Sequence, residues 1–164
     1  IIGPSAGAIS LLLSEMRTQG VHLAKLLQQN KEEILQSIGG STCALGNPVD
    51  YWPPKEFVGT EVCRIYNKAS RVLLKDENVG ALVLSLEFFN EIEFNFSIFK
   101  NIKQMYPYKT IICVLIQAEE DGKNRILRIA DELKIPVYIN EPERAVRALK
   151  SMLTYYEVNN NTDE

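Results

Sequence analysis

The sequence predicts an α/β fold, a parallel sheet of five short strands with helices on both faces. Three observations predict it. Short apolar runs recur along the chain, as at 81–86 and 110–116. Between them lie stretches with apolar residues at helical spacing. The strongest runs lack the polar alternation of a half-solvated strand, as expected of strands covered on both faces.

The elements follow in order. Ile1-Ile2 reads as the end of a strand whose beginning is expected in a longer protein, since two residues are too few for a strand of about 5–6. Residues 8–19 read as a helix closed by Gly20, and 21–26 as a second strand. Asn30 is placed to cap a helix over 31–38, stopped by Gly39-Gly40. A loop over 47–54 precedes a helix over 57–75. The run 81–86 is the third strand, 94–106 a helix closed by Pro107, and 110–116 the strongest strand, rich in β-branched residues. A helix at 123–134 carries Ile126, Ile129, Ala130 and Leu133 at helical spacing. Residues 135–139 form a short strand with Pro136 near its start. The last helix starts near Glu141 or Pro142, with Asn140 as its cap, and runs to about Tyr156. Its Arg144, Arg147 and Lys150 lie mostly off the apolar stripe and read as a solvated basic face. The result is a flavodoxin-like three-layer α/β/α sandwich, strand order 2-1-3-4-5, whose ligands sit at the carboxyl ends of the strands.

Length and composition narrow the function. At 164 residues the chain suits one domain. We expect that domain over 1–156, with 157–164 as a polar tail or linker. No apolar run approaches the roughly 18 residues of a membrane span, and no signal peptide is evident, so no membrane partner is expected. The net charge is -3 with no basic block, which argues against nucleic acid as a partner. Three scattered cysteines, Cys43, Cys63 and Cys113, suit a reducing, cytoplasmic location. Cys113 lies in an apolar run and reads as a buried, inert thiol. His22 is the single histidine, so a zinc site made by this chain alone is not expected. It precedes a short apolar run and reads as structural.

Two segments could carry chemistry. In Gly3-Pro4-Ser5-Ala6-Gly7-Ala8 small residues link the first strand to the first helix. The free N–H groups and dipole of that helix start favour an anion, and Ser5 can add a hydroxyl. It is neither a Walker A loop nor a GxGxxG fingerprint, and a plain turn capped by Ser5 would look the same. In Asn47-Pro48-Val49-Asp50, Pro48 stiffens the backbone while Asn47 and Asp50 can brace it, with Tyr51 and Trp52 packed as a lid. Glu87, Glu91 and Glu93 follow the third strand; facing that turn they would repel an anion, and a solvated charge run is the commoner reading.

These segments, with Gly20-Val21-His22-Leu23-Ala24-Lys25-Leu26, Ile135-Pro136-Val137-Tyr138 and Pro142-Glu143-Arg144-Ala145-Val146-Arg147-Ala148-Leu149, carry a resemblance over about residues 1–156. The chain resembles the third, flavodoxin-like domain of NDP-forming acyl-CoA synthetases, the ADP-forming acetyl-CoA synthetase family. That domain is similar to the carboxyl-terminal domain of the succinyl-CoA synthetase beta subunit. The resemblance implies a ligase that interconverts acyl-CoA, NDP and phosphate with acid, CoA and NTP through a phosphohistidine held by a neighbouring domain. CoA, nucleotide and Mg2+ would bind in partner domains, one Rossmann-like and one ATP-grasp, and this chain would not be active alone. Phosphate would meet the helix start at Gly3, Ser5, Ala6, Gly7 and Ala8, with Asn47, Pro48 and Asp50 in a supporting loop. Ala6, Ile9 and Ser14 depart from the family pattern, standing where a glycine, a further glycine and an aspartate are usual. The alternative is a non-catalytic flavodoxin-like binding or regulatory module, such as the inactive copy in related protein acyltransferases.

Overall fold

The computed structural model describes residues 1–38, 46–51, 60–87, 94–117 and 120–160. In chain order the elements are β1 (Ile2–Gly3), α1 (Ala6–Thr18), α2 (Gln28–Ile38), β2 (Val49–Asp50), α3 (Thr60–Lys75) and β3 (Ala81–Glu87). They continue with α4 (Ile98–Met105), β4 (Thr110–Ile116), α5 (Glu120–Glu132), β5 (Val137–Ile139) and α6 (Pro142–Asn160). The five strands form one parallel sheet in the order β2-β1-β3-β4-β5, the flavodoxin-like arrangement.

The period of two along β3 and β4 divides the core into two layers. Leu82, Leu84, Leu86, Ile111, Cys113 and Leu115 face α3, α4 and α5, where Tyr66, Leu73, Phe99, Ile102 and Ile126 meet them. Val83, Ile112 and Val114 face α1 and α6, where Ile9, Leu12, Met16, Val146 and Leu149 pack. β3 and β4 pair over their full length, from Ala81 with Thr110 to Glu87 with Ile116, and all ten residues from 82–86 and 111–115 are buried. Continuous apolar runs therefore became the centre of the sheet.

The order of the sheet agrees with the sequence, but the second strand does not. Residues 21–26 form no strand; Val49–Asp50 takes that position, pairing Ile2 with Val49 and Gly3 with Asp50. Val49 N–H donates to the Ile1 carbonyl at 2.8 Å and Tyr51 N–H to the Gly3 carbonyl at 3.0 Å. The 21–27 segment is instead held by side chains. Asn47 Nδ2 donates to Ala24 O at 2.9 Å, Asn78 Nδ2 to Lys25 O at 3.0 Å, and Leu27 N–H to Asp76 Oδ2 at 2.8 Å. Only Val21 of that segment is buried, whereas Val49 is fully so. The strand thus formed within the stretch expected to be a loop, at the residue that is fully buried.

Two expected caps also moved. Asn30 lies inside α2, where Leu27 O accepts from the Asn30 and Lys31 amides, and its buried side chain donates to Asp76 Oδ2 at 2.8 Å. Asn140 takes a left-handed φ of 54°, and its Oδ1 accepts from Gln117 N–H at 3.0 Å, tying the end of β5 to the end of β4. Glu141 O then accepts from Ala145 N–H at 3.1 Å and Pro142 opens α6, as its fixed φ suits. That helix runs to Asn160, four residues beyond the end expected near Tyr156.

The end of α1 follows the sequence. Gly20 has φ +66°, its N–H donates to Arg17 O at 3.3 Å, and Val21 N–H donates to Met16 O at 2.8 Å. This is a Schellman closure, which requires the left-handed conformation glycine supplies freely.

Candidate functional site at the amino end of helix α1

α1 begins two residues earlier than the spacing suggests, because Ser5 itself is the cap. Ser5 is extended (φ -141°, ψ 133°), and its Oγ accepts from Ala8 N–H at 3.1 Å. Ile9 N–H donates to Ser5 O at 3.1 Å, the first backbone bond of the helix. The amides of Ala6 and Gly7 therefore have no intrahelical acceptor, and both residues are exposed. They lie where β1 ends, on the carboxyl edge of the sheet, beside its switch point between β1 and β3.

Gly3 makes the close packing under this turn possible. A Cβ there would stand 3.0 Å from Ile9 Cγ1 and 3.1 Å from Ser85 Cβ, inside ordinary contact. A Cβ on Gly7 would meet only Ser5 Oγ at 3.6 Å, an ordinary distance. Ile9 is buried against the sheet, so its bulk does not narrow the tip. Ser14 is exposed, further along α1.

Glu87 changes the character of the site. Ser5 Oγ–H donates to Glu87 Oε1 at 2.8 Å, so this carboxylate reaches the amino end of α1 from the end of β3. The sequence reading of Glu87 as a solvated charge is corrected here; Glu91 and Glu93 lie outside the described residues. Two pleats share that face of β3, and the second, Ser85, is fully buried with no partner for Oγ among the described residues. On the opposite face Tyr66 donates its hydroxyl to Ser85 O at 2.8 Å. Burial, then the nearby Cys113, Glu87 and Asp50, hold the Tyr66 phenol well above its ordinary range. Burial also raises the Asp50 carboxyl. Two acidic side chains thus stand at the ends of the strands flanking β1.

The structure brings Gly3, Ser5, Ala6, Gly7, Ala8 and Asp50 to this edge, where Asp50 pairs with Gly3. Asn47 and Pro48 precede β2 and lie toward its amino end. Asn47 Oδ1 accepts from the Ile1 nitrogen at 3.0 Å, so this side chain joins β1, the 21–27 segment and β2. Tyr51 is buried; Trp52 and Cys43 lie outside the described residues. A cavity of about 290 Å³, with Ile1, Val21, His22, Gly80 and Leu149 among its lining, opens at the other end of β3. His22 is exposed at that cavity and does not approach Ser5 or Glu87 through any hydrogen bond. Among the described residues no group of three His, Cys, Asp or Glu side chains is placed to hold a metal, and no helix is long and apolar enough to cross a membrane.

The chain superposes on PH0766 from Pyrococcus horikoshii OT3 with a TM-score of 0.74 and 20% identity, over 91% of this chain and 33% of that one. It superposes on the dinucleotide forming acetyl-coenzyme A synthetase 1 of Ca. Korarchaeum cryptofilum, in its apo form, with a TM-score of 0.74 and 19% identity. That match covers 95% of this chain and 32% of the other. The three share a fold. The chain spans about a third of the length of each of these proteins. No protein-family model and no curated protein matches the sequence.

Proposed function

We propose that the chain is a flavodoxin-like domain of an NDP-forming acyl-CoA synthetase, with the amino end of α1 turned toward a phosphoryl group on a histidine of a neighbouring domain. The observation that carries this reading is the Ser5-capped start of α1, with the exposed amides of Ala6 and Gly7 at the switch point of the sheet. Such a tip stabilises an anion with oriented dipoles and needs no basic side chain. Likeness of fold to an acetyl-coenzyme A synthetase about three times as long supports a setting of several domains. In that setting CoA, nucleotide and Mg2+ belong to the partner domains, and the location is cytoplasmic.

One observation favours the second reading, a non-catalytic module. Glu87 already faces the tip. At a separation of about 5 Å a carboxylate repels a dianion by roughly 1–2 kcal/mol even at the dielectric of water. An exposed helix start returns only about 0.3–1 kcal/mol. The two readings separate in the complete polypeptide, assayed for acyl-CoA formation from acid, CoA and NTP. Under the ligase reading Gly7→Glu lowers turnover at least ten-fold while the fold persists by circular dichroism. An active polypeptide indifferent to that change supports the non-catalytic module.

A further inference from the structure

We infer that Glu87 makes the tip of α1 selective for a phosphoryl group carrying a proton, and excludes oxyanions that have none. This rests on the phosphoryl reading above and adds a residue to it. The tip offers donors on one side, the amides of Ala6 and Gly7. On the other side stands Glu87, a carboxylate with lone pairs only, which accepts from Ser5 Oγ–H. An oxygen set between them must accept from the amides. Any oxygen against Glu87 must donate, or meet it as a like charge. Dihydrogen phosphate or the monoanion of a phosphate monoester satisfies both demands; sulfate satisfies only the first.

A second observation points to the same place. Ser85 follows the same face of β3 two residues before Glu87 and adjoins Gly3 under the first turn of α1. It is fully buried, and its Oγ has no partner among the described residues. Buried hydroxyls are usually satisfied, so this one marks a missing polar neighbour beside the turn. The groups facing Glu87 bring it no counter-charge among the described residues. The first turn of α1 holds neither acid nor base, β4 places Ile116 alongside, β2 brings Asp50, and α3 brings the protonated Tyr66 hydroxyl. None of the ion pairs found among the described residues includes Glu87.

The test is titration of the full chain, labelled with nitrogen-15, with inorganic phosphate and separately with sulfate, following the Ser5 to Ala8 amides. Phosphate is expected to shift them at about pH 6 and to bind about ten-fold more weakly at about pH 8, as the monoanion gives way to the dianion. Sulfate is expected to leave them unmoved at both. Glu87→Gln should remove the selectivity, so that sulfate and phosphate bind alike. Sulfate binding the wild type as tightly as phosphate overturns the role of Glu87 and leaves the phosphoryl reading standing. Neither anion binding the wild type while both bind Glu87→Gln makes Glu87 a plug and also overturns selection. Neither anion binding either protein, both being folded, overturns the phosphoryl reading itself.

Discussion

Asp76 and Glu87 are both carboxylates at the margins of the sheet, and their surroundings set them apart. Asp76 is fully buried and saturated with donors: Leu27 N–H and Asn30 Nδ2 at Oδ2, and Asn78 N–H at Oδ1. Burial opposes its charge, but the hydrogen bonds from Asn30, Leu27 and Asn78, with Lys109 nearby, outweigh burial and hold the carboxyl below its ordinary 3.8. A carboxyl lowered in the fold contributes fully above its unfolded value, and that contribution fades as the pH falls through the lower, folded one. Asp76→Asn should therefore be less stable than wild type at neutral pH, with the gap closing below about pH 4 in denaturant midpoints. Asp76→Ala, which orphans three donors, should cost about 3 kcal/mol in urea unfolding. Ser5→Ala should cost about 1 kcal/mol through the lost cap. The cap was legible because its partner is three residues away. The roles of Asp76 and Glu87 were not, since apart from the Asn78 amide two residues on, the partners of Asp76 lie 46 and 49 residues off and the partner of Glu87 lies 82 residues off.

At the scale of elements, strength of local signal tracks how much each element depends on its neighbours. β3, β4 and the closure of α1 carry their own signals, apolar runs and a well-placed glycine, and all three stand where the sequence puts them. Gly20→Ala, forced into φ +66°, should lower stability by about 1 kcal/mol, read as a drop in melting temperature. β2 is two residues long, and its place depends on Ile1 and Gly3 offering carbonyls to Val49 and Tyr51. No periodicity exists over two residues, so the more apolar 21–26 competes for the same assignment in sequence. Gly3→Ala tests the joint between β1 and α1. The added methyl meets Ile9 and Ser85 at 3.0–3.1 Å and should cost about 1–3 kcal/mol in the same unfolding assay.

Across the whole molecule, two apolar layers on one parallel sheet leave the carboxyl edge as the place where helix starts, strand ends and acidic side chains converge. The fold class and strand order were legible because burial on both faces writes a continuous apolar run into the middle strands. At the candidate site the sequence marked the glycine turn and the Ser5 cap, while the approach of Glu87 to that turn was set only by folding. Cys113, fully buried in β4 with its thiol pushed up by burial, reports on the integrity of this sheet. It should resist thiol reagents until the sheet opens, and react with a rate that follows global unfolding. The reading of the edge as a phosphoryl-facing surface rests most directly on the amides of Ser5, Ala6, Gly7 and Ala8. With millimolar phosphate at about pH 6, their resonances in the folded chain should move together and saturate, while those of β4 and α6 stay fixed. Resonances that stay fixed at Ser5 to Ala8 in the wild type and in Glu87→Gln alike, or shifts spread evenly over the molecule, would overturn that reading.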